Sequence, residues 1–418
     1  MTIAYLNTEY PSLSHTFIER EIRALRARRV DIQPLSVRPA PKARTIGEAN
    51  AVAAVETIVI QAGAMRTATR AAIACALHPI QALRAFTKGQ RMSPGGCAAR
   101  VRHFAYALHA MILLGHLKRL GIRHVHVHMA NNGAAIALLA ATASANVTYS
   151  LSVHGSAEFF HVDSWTLTEK VEGAQFVRCI SKFCRAQVMA WSKPEVWPRF
   201  SVVRCGVDPA AYAEKPVDPD HPLRIITVGR LHPIKGYELL LDACAQLLKK
   251  GRGIEVHMIG DGPTRQSLEQ AIVRLGLTET VKLMGPVPQE HVRQHLDRAH
   301  VMVVSSFMEG VPVVLMEAMA SGLGIVATAV GGVPELVEHG VSGFVVPPGC
   351  ADAIAGAIDR YATDRSLCAR HGAAGRKKVI EHYSIEQTAQ GMFELFCRNG
   401  VVPDSMEWAQ SDEAVLSV

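Results

Sequence analysis

Two glutamates eight residues apart, Glu309 and Glu317, enclose the segment EGVPVVLME. A short apolar, β-branched run over 300–304 precedes them, followed by a loop containing Ser306 and Gly310. Pro312 is expected to be the first residue of a helix, a position that its fixed φ suits. A helix opening there presents free N–H groups and the positive end of its dipole, which together favour a diphosphate. Gly310 permits close backbone approach. Carboxylates at such a junction are suited to accept hydrogen bonds from sugar or ribose hydroxyls. Glu317 lies within the otherwise apolar VVLMEAMA, where a charged group requires a partner. The competing structural reading is an exposed loop glutamate followed by a solvated helix face.

A second junction, RIITVGRLHPIKG over 224–236, runs from a strand into Gly229, Arg230, Lys235 and Gly236. Two cations five residues apart on one loop can clamp a diphosphate and neutralise charge that builds on it as it leaves. The segment is not a P-loop, and a plain basic surface loop remains open. A third, VHMIGDGP over 256–263, places Gly260 where it could floor a nucleotide pocket or simply make a tight turn. A fourth, TAVGGVPEL over 328–336, offers Gly331 and Gly332 for a close-approach turn, with Glu335 opening the next helix. In the first half, His154 ends the strand 147–153, where it can reach a ligand or be a satisfied structural histidine. His124, His126 and His128 alternate and so share one face of a strand. That raises zinc, but no nearby carboxylate or Cys pair completes a site, and a polar strand face explains the pattern as well. The loop 7–16 adds Ser14, His15 and Thr16.

These junctions need strands to hold them. β-branched runs are expected as strands at 2–6, 30–37, 56–60, 123–128, 147–153, 176–180 and 200–203, then at 224–228, 254–259, 280–284, 300–304, 324–328 and 343–346. Amphipathic segments at 15–28, 102–120, 236–250, 264–276, 289–298, 312–321 and 351–380 alternate with them as helices, and 62–90 reads as a helical insertion. This alternation predicts an α/β protein with parallel, doubly wound sheets. Ligands of such sheets bind at the carboxyl ends of the strands. A chain of 418 residues exceeds what one core supports, so two domains are expected. The Pro- and Asp-rich stretch 206–222 is the candidate linker, dividing 1–205 from 206–384. The acidic stretch 401–418 is read as a tail.

Composition narrows the partners. Residues 1–205 hold 25 Lys/Arg against 11 Asp/Glu, whereas 206–418 hold 19 against 26. No acidic residue occurs between Glu56 and Glu158, a stretch carrying ten cations. Such a surface suits a membrane leaflet, nucleic acid or an acidic substrate, or is a solvated basic face. Nucleic acid is the least favoured, for no stacking motif or known module accompanies the charge. The nine scattered cysteines, with no C-x-x-C pair, fit reduced thiols and a cytoplasmic location. No signal peptide is evident, and 133–153 reads as a buried helix followed by a strand rather than a membrane span.

With these residues in order, the chain resembles the retaining GT-B glycosyltransferases of family 4, which build exopolysaccharide, lipopolysaccharide and glycolipid linkages. Glu309-Gly-Val-Pro…Glu317 resembles the family's E-x7-E motif. Gly229-Arg-Leu…Lys235-Gly, Gly260-Asp-Gly-Pro, Gly331-Gly-Val-Pro-Glu335 and Ser152-Val-His154-Gly fall in the expected sequence. So do Ile180-Ser-Lys and Arg204-Cys-Gly-Val-Asp208. The likeness covers roughly 1–398 and is looser before 120. It implies two Rossmann-like domains facing a central cleft, with a last helix, 385–400, returning to the first domain.

It further implies that Arg230 and Lys235 hold the donor diphosphate, and that Glu317 binds the ribose. Glu309, with the Gly310-Val311-Pro312 backbone, would hold the transferred sugar and its phosphate. Val287 would lie against the base, and Gly229 and Gly260 beside the nucleotide, with His154 next to the sugar. Ser14-His15-Thr16 stands where relatives often read Ser-Glu-Thr, on the acceptor side. The resemblance implies a UDP-sugar donor, a lipid-linked or polysaccharide acceptor, no metal or other cofactor, and a place in the cytoplasm or at the inner face of the membrane. A nucleotide-sugar epimerase, a sugar phosphorylase and a catalytically silent scaffold are the alternatives on the same fold.

Overall fold

A computed structural model describes residues 2–12, 16–40, 48–212 and 222–403. Ser14 and His15 lie outside the described residues. The chain divides into two compact units, Met1–Val203 with Thr388–Val418, and Arg204–Gln387. The first changeover falls two residues before the sequence-based limit and the second three residues after it. Val207 explains the shift. Its N–H donates to the Tyr383 carbonyl (3.0 Å), and its carbonyl accepts from the Ile385 N–H (2.8 Å). The opening of the stretch read as a linker is therefore fastened inside the second unit.

The first unit holds seven parallel strands: β1 (Thr2–Glu9), β2 (Asp31–Arg38), β3 (Ile58–Val59), β4 (His124–His128), β5 (Thr148–Val153), β6 (Val177–Cys179) and β7 (Phe200–Val202). Their order is β3-β2-β1-β4-β5-β6-β7. The second unit holds six: β8 (Leu223–Val228), β9 (Ile254–Ile259), β10 (Val281–Gly285), β11 (Val301–Val304), β12 (Gly324–Thr328) and β13 (Phe344–Val346). Their order is β10-β9-β8-β11-β12-β13, also parallel. In each sheet the order reverses direction beside the first strand, between β1 and β4 and between β8 and β11. Loops leaving the strands part at such switch points and leave room for a ligand.

Helices cover both faces of parallel sheets, whose strand residues here are largely buried. In the second unit, Leu240 and Leu247 of the helix Tyr237–Lys249 and Ile354 and Ile358 of the helix Ala351–Thr363 pack with Val256 and Met258 of β9 in one core. The helix read over 351–380 is two helices, Ala351–Thr363 and Ser366–His382. The break occurs where the Asp364 carboxylate accepts from the Ser366 N–H (3.0 Å), a local bond that competes with helix continuation. The insertion 62–90 resolves into Ala64–Leu77 and Pro79–Arg91, with proline opening the second. The final helix spans Ile385–Arg398. Its Phe396 meets Phe176 at 5.9 Å between ring centroids, within the first unit.

One face of the first sheet is polar yet buried. His124 bonds to Thr148 and Ser150, and His126 to Ser150 and Ser152, at 2.7–2.8 Å. The parallel register of β4 and β5 sets each imidazole beside these hydroxyls. Burial holds His126 well below its ordinary pKa, so it is neutral. Glu21, His126 and His128 come close enough to suggest a cation site. However, Glu21 already accepts from Tyr5 (2.9 Å) and pairs with Arg178 (2.5 Å). Burial alone would raise the Glu21 carboxyl, but Arg178 and its neighbours outweigh it and hold the group well below the usual carboxylate range.

Removing one member of a buried pair leaves the other charge uncompensated. Arg178→Met is expected to destabilise the first unit by about 3–5 kcal/mol, and Glu21→Gln/Arg178→Met to recover a large part of the loss. Trp165, Trp191 and Trp197 lie in this unit, 204–387 contain no tryptophan, and the fourth, Trp408, lies outside the described residues. Urea unfolding followed by tryptophan emission in a Trp408→Phe background therefore reads this unit alone.

Candidate functional site

The switch point of the second sheet brings together the loops that leave β8 and β11. The first, Gly229–Gly236, is anchored by fully buried Leu231, whose N–H donates to the Asp261 carbonyl (3.0 Å). His232 accepts from the Ile234 N–H and starts a short turn, Pro233–Lys235. The second loop interlocks with it. The Phe307 N–H donates to the Ile234 carbonyl (2.8 Å), and the Ser305 hydroxyl to the Lys235 carbonyl (3.0 Å).

That interlock places Lys235 Nζ 2.7 Å from Glu309 Oε1, and the Ser306 hydroxyl donates to the same oxygen at 2.6 Å. Glu309 Oε2 keeps no hydrogen-bond partner among the described residues, so one oxygen of a buried, oriented carboxylate is available to a ligand hydroxyl. Arg230 is exposed and forms no ion pair among the described residues. The site thus carries a half-buried cation pointed by a carboxylate, and an unpaired guanidinium five residues away. Both suit a polyphosphate.

Glycine makes the close packing around them possible. A Cβ at Gly260 (φ +137°) would sit 1.9 Å from the Gly229 carbonyl oxygen, and one at Gly331 (φ +55°) 1.9 Å from the Glu309 carbonyl oxygen. The Gly332 N–H donates to the Gly310 carbonyl at 2.7 Å. The Gly331-Gly332 turn therefore backs the Glu309-Gly310 peptide directly. The Gly260 N–H donates to the Gly285 carbonyl (2.8 Å), which ties the half-buried Val287 loop to the same floor.

Pro312 proves to be the N-cap of the helix Val313–Ala320 rather than its first residue, with φ −67° and an extended ψ of 118°. Its carbonyl accepts from the Leu315 N–H (3.1 Å), and the Val313 and Val314 N–H groups have no backbone partner among the described residues. Val311 and Glu317 are buried, Glu317 over one turn into this helix. Glu335 is the third residue of the short helix Val333–Leu336 rather than its opening residue.

The remaining candidates belong to the first unit. His154 follows β5, its Nε2 3.1 Å from His128 Nδ1 and its ring 4.6 Å from that of Phe17. The Glu158 carboxylate accepts from the backbone N–H groups of His154 (2.7 Å), Gly155 (2.8 Å) and Ala130. Burial lifts Glu158 to about 7 against these donors. Buried Lys170 is lowered to about 7, chiefly by desolvation, and its ammonium donates to the carbonyls of Ala130 and Trp165. Glu158 and Lys170 thus fix the turns on either side of the β4–β5 carboxyl edge. Thr16 opens the helix Thr16–Ala27, whose Phe17 reaches His154.

Sequence reasoning did not single out Ser306 as a site residue, nor Tyr237, Glu158 or Lys170. Tyr237 is buried, and its hydroxyl lies 3.0 Å from where a Gly229 Cβ would stand. Burial and then the Glu309 carboxylate push its phenol well up. A buried tyrosine two residues after a lysine carries no distinctive spacing. Glu158 carried one usable signal, as the first acid after a hundred residues without any.

Residues 210–378 match the family described as Glycosyl transferases group 1. The chain is 36% identical over 222 residues to the amylovoran biosynthesis glycosyltransferase AmsK of Erwinia amylovora, covering 50% of this chain and 54% of that one. It is 39% identical over 164 residues to the putative colanic acid biosynthesis glycosyltransferase WcaL of Escherichia coli, covering 38% and 40%. The chain spans about half the length of the curated relatives it matches. Among solved structures, Anabaena Alr3699/HepE in complex with UDP aligns with a TM-score of 0.70 at 19% identity, over 95% of this chain and all of that one. Sucrose-phosphate synthase from Thermosynechococcus elongatus aligns with 0.75 at 19%, over 96% and 100%. These likenesses show the two-domain GT-B fold.

The contact behind Glu309 is open to test. A left-handed alanine costs about 1–2 kcal/mol before any clash, and at 331 its methyl would overlap the Glu309 carbonyl. Gly331→Ala is therefore expected to loosen the loop. Hydrogen exchange of peptides within 305–336 should accelerate by at least about tenfold, with peptides of the first unit unchanged.

Proposed function

We propose, for a chain whose residues 210–378 belong to the group 1 glycosyl transferases, that it transfers a sugar from a nucleoside-diphosphate donor to a lipid-linked oligosaccharide or polysaccharide acceptor. The observation that carries this reading is the Lys235–Glu309–Ser306 cluster at the switch point, with Arg230 unpaired beside it. A diphosphate leaving group needs positive charge where its own charge grows, and this loop supplies two cations on a rigid backbone. The Val313 and Val314 N–H groups at the start of the helix Val313–Ala320 add a further anion site.

In this assignment Arg230 and Lys235 hold the diphosphate and Glu317 takes the ribose hydroxyls. Val287 lies against the base beside the floor made by Gly229 and Gly260. Glu309 orients Lys235 through Oε1 and offers Oε2 to the transferred sugar, next to the Gly310-Val311-Pro312 backbone. The bond from the anomeric carbon to phosphate oxygen breaks with its electron pair leaving on the phosphate. The acceptor hydroxyl attacks the same face, and its proton passes to the departing phosphate oxygen. Configuration is retained, and neither a protein nucleophile nor a metal is required.

UDP is the proposed nucleotide. It is consistent with the fold relative Alr3699/HepE having been solved with UDP and with UDP-glucose. Exopolysaccharide assembly is the proposed setting, from the named roles of AmsK and WcaL. No described helix is long and apolar enough to cross a membrane. The acid-free, basic stretch 57–157 is proposed to bring the protein to an anionic leaflet.

Calorimetric titration with UDP, GDP and ADP in the presence of a chelator tests the donor site. One nucleotide is expected to bind in the micromolar range, and Arg230→Ala and Glu317→Ala each to weaken it about tenfold or more. No binding by any of the three would favour a silent scaffold. His154 is assigned to transfer rather than to nucleotide binding. His154→Ala should therefore lower turnover by about tenfold or more while leaving the nucleotide affinity within about twofold.

A further inference from the structure

The helices Ala64–Leu77 and Pro79–Arg91 are built the wrong way round for a water-facing surface. Their buried positions are small, namely Ala71, Ala82, Ala85 and Gly89. Their large apolar side chains stay exposed, Ile73 (55%) and Leu77 (69%) along the rim of a cavity and Ile80 (68%) and Leu83 (67%) away from it. A soluble helix normally does the reverse. Neither helix contains an acidic residue, and Arg66, Arg70, Arg84, Lys88 and Arg91 lie among the apolar groups. Apolar and cationic side chains mixed on an exposed helix suit the boundary between lipid headgroups and acyl chains.

Beside these helices lies a cavity of about 670 Å³, within the ordinary range for a small-ligand site. Its apolar wall is formed by Ile73, Leu77, Met111, Leu114, Ile122 and Val147. Four cations also line it, Arg70, Lys118, Arg119 and Arg123, and no acidic residue does. None of the four forms an ion pair among the described residues. Arg119 Nη2 lies 2.7 Å from His116 Nδ1. Burial, then the charges of Arg119 and Arg70, keep that imidazole below its ordinary pKa, and all three side chains line the cavity. The cavity is bounded by 121–123 and 144–147, at the amino ends of β4 and β5. His154 lies at the opposite, carboxyl edge of the same sheet.

We propose that this cavity holds one anionic phospholipid, its acyl chain against the apolar wall and its phosphate between Arg70, Lys118, Arg119 and Arg123. An apolar wall and an uncompensated cationic rim together match a molecule with one apolar and one anionic end. Neither a free phosphate nor a neutral lipid satisfies both halves. The proposal deepens, and rests on, the reading of the basic stretch as a membrane surface. A bound lipid here would bring the exposed Ile80 and Leu83 to the leaflet while leaving the carboxyl edge of the sheet free for chemistry.

Short-chain dihexanoyl phosphatidylglycerol, below its micellar concentration, is titrated into the full chain by calorimetry, beside dihexanoyl phosphatidylcholine and glycerol phosphate. The anionic lipid is expected to bind at least about tenfold more tightly than either control. Ala74→Trp, which fills the cavity, and the exposed Arg119→Glu should each weaken it by a similar factor while UDP binding in the second unit is unchanged. Equal binding of glycerol phosphate or of the zwitterionic lipid would overturn the proposal, as would wild-type affinity in both variants. Cosedimentation at low salt with phosphatidylcholine vesicles, with and without phosphatidylglycerol, separates the two levels. Retention by anionic vesicles without short-chain lipid binding overturns the cavity but leaves the surface reading. Retention by neither overturns both.

Discussion

The ion pair between Lys235 Nζ and Glu309 Oε1 joins two loops that are 74 residues apart in the chain, and the arrangement of the second unit around its switch point depends on it. A half-buried lysine and a buried glutamate are each costly alone, and each becomes tolerable because the other and Ser306 are in place. The pair is held from behind by backbone. The Gly331-Gly332 turn presses on the Glu309 peptide, and the Phe307 and Ser305 bonds hold the Lys235 loop. Rigidity of this kind keeps positive charge in one position before any ligand arrives, which is where electrostatic stabilisation of a leaving group has its largest effect.

The first unit solves a different problem with similar means. Its sheet carries a buried polar face, and every ring on it is neutralised or paired. His124 and His126 bond to hydroxyls of the neighbouring strand, while Glu21 and Arg178 compensate each other. Toward the carboxyl edge the same face ends in His128, His154 and the Glu158 carboxylate that gathers three backbone N–H groups. This hydrogen-bonded interior leads to a strand end where His154 is only partly buried. Parallel strands allow this, because all their carboxyl ends fall on one side.

The same geometry separates two surfaces within the first unit. Its carboxyl edge carries the histidines. Its amino edge carries a cavity with an apolar wall and a cationic rim, next to two helices with outward-facing leucine and isoleucine. Strands of five or six residues put these edges roughly 20 Å apart. A lipid at one edge would therefore not compete with chemistry at the other.

The alternation of apolar runs with amphipathic segments determined the two parallel sheets, since strand and helix periods are properties of local sequence. Glu309, Glu317, Arg230 and Lys235 were legible for the same reason, each lying at a strand-to-helix junction of fixed spacing. Tertiary structure decided which of them meet. Eight residues separate the two glutamates, yet Glu309 bonds to Lys235 across 74 positions, a contact no periodicity encodes. It also decided that the first half of the chain ends at Val203 rather than at 205, because the bond between Val207 and Tyr383 is long-range. The reversed burial of the helices over 64–91 depends on what packs against each face. The sequence showed their missing acids, and only the packing showed that Ile80 and Leu83 stay exposed.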